Sequence, residues 1–220
     1  MCPRAPGGFG WPCRWDCRSK KWLHTQEQDS EQTQRRRQAW QQAIRQLEVE
    51  QLVFLDESGA TTQMTRHYGR APPGQPVQEA TPQGRWQTLT MLAALTSQGL
   101  RAPMIIAGPT DGDIFLAYLE PVLCPQLRLG QVVIMDNLSA HKVAGVRQRI
   151  EATGAKLMYL PPYSPDLNPI EQAWSKVKLL LRSLKARTAD ALVAALAEAL
   201  TTITPENVVA WFRHCGYSLQ

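Results

Sequence analysis

The sequence contains no run of about 18 apolar residues, so no stretch of it reads as a membrane-crossing helix. Its start, MCPRAPGGFGWPCRWDCRSKK, lacks the apolar core of a secretory signal. No G-x-x-x-x-G-K-[ST] loop is present, which argues against an ATPase, although VFLDE and VVIMD each look like a strand and acid that hold nucleotide Mg²⁺. Cysteine is sparse: Cys2, Cys13 and Cys17 cluster near the start, while Cys124 and Cys215 stand alone. Without C-x-x-C pairs or a clear fourth ligand they do not read as a zinc site. An odd count scattered through a large domain fits reduced thiols in a cytoplasm. There is no internal repeat.

What is present suits one sizeable domain with a flanking piece: 220 residues, 44% of them hydrophobic. The net charge of +5 favours a polyanionic partner, with much of the excess in Arg35, Arg36 and Arg37 and between Lys176 and Arg187. Residues 1–26 show Gly, Pro, Trp and Cys without a period and have little means of building a core. Over 27–49 the pattern turns polar and helix-favouring, with Trp40, Ile44 and Leu47 at helical spacing. This helical linker, or lid, leads into a domain over 50–220.

That domain opens with Gln51–Leu55, a short apolar strand ending on Asp56 and Glu57. After the turn-rich HYGRAPPGQPV come strands at Trp86–Thr96 and Leu100–Ala107, joined by a hairpin turn at Ser97–Gln98–Gly99. A helix is expected from Asp111 to Leu123, with Phe115, Leu116 and Leu119 inward and a cap formed by Thr110 and Asp113. Gln131–Met135 is a strand ending on Asp136, followed by a helix near Val143–Ala152 and a strand at Lys156–Leu160. Helices at Ile170–Leu184 and Asp190–Ile203 and an amphipathic piece at Pro205–His214 close the chain. Such an order describes an α/β layer fold, and two acids ending separate strands suit a site at the strands' C-terminal ends.

Between the last strand and the next helix lies LPPYSPDLNPIE, with four prolines in twelve residues, ending on Glu171. One reading of Glu171 is structural: Asn168 as N-cap, Pro169 at the first helical position, and Glu171 closing a capping box that holds its carboxylate at rest. That cap leaves the upstream prolines unexplained. The other reading is that the rigid approach aims Glu171 at Asp56 and Asp136. Behind it, Ile170, Trp174, Val177, Leu181 and Leu184 form an apolar stripe, while Glu171, Ser175, Lys178 and Arg182 form a polar one that turns basic, either a solvated face or a path for a phosphate backbone.

Three carboxylates suit phosphodiester chemistry. In-line attack needs an activated water and a stabilised leaving oxygen, which two divalent ions about 3.5–4 Å apart supply together. Mg²⁺ takes oxygen ligands, so Asp56, Asp136 and Glu171 fit where Cys or His would not. Asn137 lies beside the site by position, and His141 either orients a phosphate or a ligand or is a satisfied surface histidine.

LVFLDESG, VVIMDNLSAHK and YLPPYSPDLNPIEQAWSKVK resemble the three signature blocks of DDE transposases, in particular the bacterial insertion-sequence branch of the mariner-type superfamily, the IS-six-thirty group. The 34 residues between Asp136 and Glu171 match that branch, and the resemblance runs from about residue 48 onward. It implies a ribonuclease H-like fold, a mixed central sheet flanked by helices in three layers, here with an N-terminal helical extension. It makes Asp56, Asp136 and Glu171 the catalytic and metal-binding acids, with two Mg²⁺ ions or Mn²⁺ in their place. Asn137, His141, Asn168, Lys178 and Arg182 are candidates to support those acids or contact DNA. The implied activity is cleavage at transposon ends and joining of the 3′-hydroxyl to target DNA, commonly at TA, by an oligomer on DNA in the bacterial cytoplasm and nucleoid. Two other outcomes stand beside it: a non-catalytic remnant that binds DNA or regulates a longer transposase, and an endonuclease that cannot join ends. Residues 1–47 do not supply the helix-turn-helix units such proteins use to read their ends, so a separate subunit or overlapping reading frame is expected to provide them.

Overall fold

A computed structural model describes residues 26–82 and 84–217. Cys2, Cys13 and Cys17, and all of the irregular 1–26 segment except Gln26, fall outside the described residues.

The sheet is built from β1 (Leu52–Thr61), β2 (Thr88–Thr96), β3 (Gly99–Ala107), β4 (Val132–Met135) and β5 (Lys156–Tyr159) in the order β3-β2-β1-β4-β5. β1, β2 and β3 pair antiparallel, whereas β1–β4 and β4–β5 pair parallel. Side chains alternate between the faces of a strand, and here the alternation divides two cores. Leu52 and Phe54 of β1 and Val132 and Ile134 of β4 pack on one face with α1 (Glu31–Ile44), α4 (Pro169–Leu184), α5 (Ala189–Thr201) and α6 (Pro205–His214). Val53, Leu55, Val133 and Met135 point to the other, against α2 (Gly112–Tyr118) and α3 (Val146–Ala152). Because β1 and β4 are buried on both faces, LVFL and VVIM read as unbroken apolar runs.

β1 is longer than its apolar run. It continues through Asp56 to Thr61 because β2 stays paired with it from Phe54↔Leu95 to Thr61↔Thr88, whereas β4 leaves after Phe54↔Ile134. Asp56 therefore lies inside a strand on its β2 side and just past the end of the parallel ladder on its β4 side. β2 starts later than expected, leaving Trp86 exposed.

The first helix is shorter than the expected 27–49. Ser30 accepts from the Thr33 amide to start it at Glu31, and Glu48 with Gln51 caps a separate 3₁₀ turn that feeds β1. Trp40 and Ile44 are buried in the same core as α4–α6, so α1 lies against the domain. α2 stops at Tyr118 and passes through a π turn, Leu119–Leu123, and a 3₁₀ turn, Cys124–Gln126. Pro121 lies in that π turn and has no N–H for an α ladder. The cap of α2 is Asp111, whose carboxylate accepts from Ile114 N at 2.9 Å; Asp113, expected as a cap partner with Thr110, is instead an exposed acid of the first turn. α3 begins three residues later than expected, after left-handed Gly145.

Candidate active site

Register places the first two acids. Extending Phe54↔Ile134 by two residues brings Asp56 and Asp136 level on adjacent chains, which in a sheet run about 4.8 Å apart. Asp56 shares parity with Leu52 and Phe54, so it faces the α4 side of the sheet. Only 6% of it is exposed. Burial, then the charge of Glu171 and, more weakly, Asp136, push its carboxyl up to about 8.

Asp136 is held through one oxygen. Its Oδ1 accepts the Leu138 amide at 2.9 Å and lies 2.7 Å from His141 Nδ1, leaving Oδ2 for another partner. Burial alone would raise this carboxyl, but the hydrogen bonds from His141 and Leu138 outweigh it and lower it. His141 is fully buried, not the surface histidine weighed above. Its ring packs at a tilt against Phe115 with centroids 4.5 Å apart, and its carbonyl accepts from the Tyr159 hydroxyl at 2.9 Å. The other ring nitrogen, Nε2, stands 3.9 Å from Glu57 Oε2, at ion-pair range but too far for a hydrogen bond, and neither buried atom has a hydrogen-bond partner. Desolvation opposes the imidazolium, yet the two carboxylates prevail and raise His141 to about 9. Glu57 was missed in the sequence. The available signal was parity, which turns it with Val53 and Leu55 toward the face opposite Asp56.

The proline segment brings in Glu171. Leu160 N bonds Met135 O at 2.9 Å, and the Asn137 amide donates to Leu160 O, joining the end of β4 to the segment's start. Arg37 of α1 reaches across to donate to Asp166 (2.9 and 2.6 Å) and to Ser164 Oγ (2.7 Å), while Gln28 Nε2 donates to Tyr163 O and Asp166 Oδ1. At the far end the Tyr217 hydroxyl donates to Leu167 O at 2.6 Å. No local pattern announces these ties, because their partners lie dozens of residues away in the chain.

The expected capping box is absent. Thr188 and Thr204 cap their helices at ψ near 160°, but Asn168 sits at ψ 97° with no side-chain cap bond. Its side chain is 3% exposed and turned into the protein, with a buried oxygen that has no partner. The Glu171 amide bonds only the Asn168 carbonyl, at 3.2 Å, and the Glu171 carboxylate makes no capping bond. It lines a cavity of about 460 Å³ together with Asp136, Asn137 and residues 160–165. Partial desolvation raises this carboxyl, Lys178 one turn along α4 lowers it, and Asp136 raises it. Arg182, a turn further, lines a different groove beside Arg66, His67 and Tyr68. Of the predicted stripe, Leu184 is 39% exposed while its other members are buried.

Among the described residues no three His, Cys, Asp or Glu side chains stand close enough to enclose a metal ion as they are. The donor chemistry nonetheless fits a hard divalent cation: Asp56, Asp136 and Glu171 are oxygen donors whose mutual repulsion is felt at Asp56. Bringing a cation among them relieves that repulsion.

A mixed five-stranded sheet with helices on both faces is the ribonuclease H-like arrangement, and the chain shares it with solved structures of the Mos1 transposase. The chain superposes on the Mos1 strand transfer complex with a TM-score of 0.69 at 16% identity, covering 90% of this chain and 61% of that one. It also superposes on the mariner Mos1 paired end complex with Mg with a TM-score of 0.67 at 15% identity, covering 90% and 64%. Residues 51–193 match the DDE superfamily endonuclease family, and the chain belongs to it. In sequence it is 32% identical over 97 residues to the transposable element Tc1 transposase of Caenorhabditis elegans, a match covering 44% of this chain and 35% of the relative. The match thus spans about a third of that transposase's length.

Proposed function

We propose that this chain is the catalytic part of a transposase that cleaves DNA at transposon ends and joins the freed 3′-hydroxyl to target DNA. The observation that supports it best is the convergence of Asp56 and Asp136, level on neighbouring strands, with Glu171 electrostatically coupled to both. On this reading residues 50–220 form the catalytic domain and 27–49 its lead-in. Asp56, Asp136 and Glu171 hold two Mg²⁺ ions, or Mn²⁺. When bound, such ions activate the attacking water or hydroxyl and stabilise the leaving oxygen. The protein's part is positional. His141 and the Leu138 amide engage Asp136 Oδ1, which orients Oδ2 toward the site. Glu57 keeps His141 charged and turned toward Asp136. Asn137 and Asn168 shape the cavity, while Lys178 and Arg182 take backbone phosphates of the DNA.

The three sequence blocks and the 34-residue interval between Asp136 and Glu171 support the bacterial IS-six-thirty branch, acting in the cytoplasm and nucleoid. The same reading carries TA target sites, a homo-oligomer on DNA, and a separate helix-turn-helix subunit that reads the ends. The test is nicking of labelled transposon-end DNA with Mg²⁺. Activity in the wild type and background in Asp136→Ala is the expected result; equal backgrounds in both would leave a non-catalytic, DNA-binding remnant. Supplying a pre-cut 3′-hydroxyl end and a plasmid then separates a transposase, which yields joined products, from an endonuclease, which does not.

A further inference from the structure

Tyr163 is held in a conformation that few tyrosines adopt. Its φ is +55°, in the left-handed region that costs an L side chain energy. Of the other described non-glycine residues with positive φ, Lys185 closes α4 and Ala102 sits by the irregular β2–β3 register. Tyr163 has neither excuse. Glycine or asparagine would make this turn more easily, so an aromatic residue here is placed at a cost, and such outliers gather at functional sites. The turn is also fastened: Gln28 holds the Tyr163 carbonyl at 3.0 Å, and Arg37 and the Pro162 carbonyl hold Ser164. The side chain itself is 52% exposed.

It stands at the cavity that also holds Asp136 and Glu171. Leu138, Leu160, Pro161, Pro162 and Pro165 form the apolar part of the remaining wall and Asn137, Ser164 and Asn168 the polar part, with no Lys or Arg among the lining residues. A mouth built for phosphate alone would be cationic; here the acids stand beside an apolar, aromatic wall, and at about 460 Å³ the cavity is in the range of small-molecule sites.

From this we infer that Tyr163 is a stacking platform for the nucleobase that flanks the phosphate presented to the acids. The inference rests on the function proposed above. Stacking tolerates any base, because each has a π face, and so positions the DNA end without reading its sequence. The ring seats the base, the prolines exclude water from it, and the neighbouring phosphate is left against Asp136 and Glu171.

The test uses the full chain with a short pre-cut duplex end carrying 5-iodouracil beside the terminal phosphodiester. Irradiation is expected to cross-link the base to Tyr163, located by peptide mass spectrometry, and this readout needs no turnover. Tyr163→Gly keeps the left-handed turn and removes the ring. It should abolish the cross-link and lower end joining by roughly 5- to 150-fold, with an unchanged melting temperature. Tyr163→Trp should stay within about threefold of wild type, because the π face is retained. An abasic nucleotide at the same position should reduce the wild type to the glycine variant's level and leave that variant unaffected. A cross-link mapping elsewhere, or a Tyr163→Gly variant that joins as well as wild type, overturns the stacking role. A wild type that neither nicks nor joins overturns the proposed function instead.

Discussion

Replacing Arg37 with alanine severs α1 from the segment that delivers Glu171. The wild-type guanidinium makes two bonds to Asp166, at 2.9 and 2.6 Å, and one to Ser164, at 2.7 Å. Buried charged hydrogen bonds are worth about 1.5–3 kcal/mol each, but the Asp166 side chain is 50% exposed against 19% for Arg37, so water screens the pair toward the roughly 0.2–1 kcal/mol of surface bridges. Ser164 is 4% exposed and keeps its bond to Pro162 O, so it loses one incoming donor. With roughly 0.5–1.5 kcal/mol for the Ser164 bond, the sum is about 0.7–2.5 kcal/mol, or about 2–8 °C in melting temperature for a domain of this size. A double-mutant cycle with Asp166→Ala should recover roughly 1 kcal/mol of coupling. Burial raises the Asp166 carboxyl, but the Arg37 hydrogen bond and charge outweigh it and leave it lowered. A lowered carboxylate stabilises the fold above its unfolded pKa, about 3.9, and this is lost as pH falls through the folded value. The gap between wild type and Arg37→Ala should thus be full at pH 7 and shrink in acid to the part carried by Ser164. Urea unfolding at both pH values is the assay. Coupling below about 0.3 kcal/mol at pH 7, or a gap undiminished in acid, would refute the reasoning.

Three further outcomes follow from the site. Asp56→Asn removes a buried carboxylate facing two others, so in EDTA it should melt higher than wild type by the equivalent of about 1 kcal/mol or more, while Mg²⁺-dependent nicking falls to background. Glu171→Gln should also lose nicking but change stability by under about 0.5 kcal/mol, because no capping bond is broken; a loss near 1 kcal/mol, typical of a cap, would restore the capping reading. Lys178→Ala should weaken DNA binding alike across sequences and flatten the plot of log affinity against log salt by about one unit, measured by fluorescence anisotropy.

Much of this molecule could be read from the chain because its signals are local. LVFL and VVIM are strands buried on both faces, and four prolines before an acid fix the approach to a helix. The long-range ties were not legible. Arg37 counted only as part of the basic excess, and nothing near it in sequence points to Asp166, 129 residues away. His141 could not be told from a surface histidine until Phe115 of α2 and Tyr159 of β5 were seen around it. Glu57 was hidden by its neighbour Asp56, although strand parity sends the two to opposite faces.

Glu171 separates the two kinds of information. Side-chain chemistry and spacing along the chain were enough to name the three acids, their order and the cation they suit, because these depend on residue type and local periodicity. Where each carboxylate points was settled by contacts between distant elements. β2 continues beside β1 after β4 has left, which buries Asp56 within the sheet. The Asn168 amide is taken by the Pro165 carbonyl at 3.0 Å, which leaves the Glu171 carboxylate without a capping bond in the cavity that Asp136 also lines.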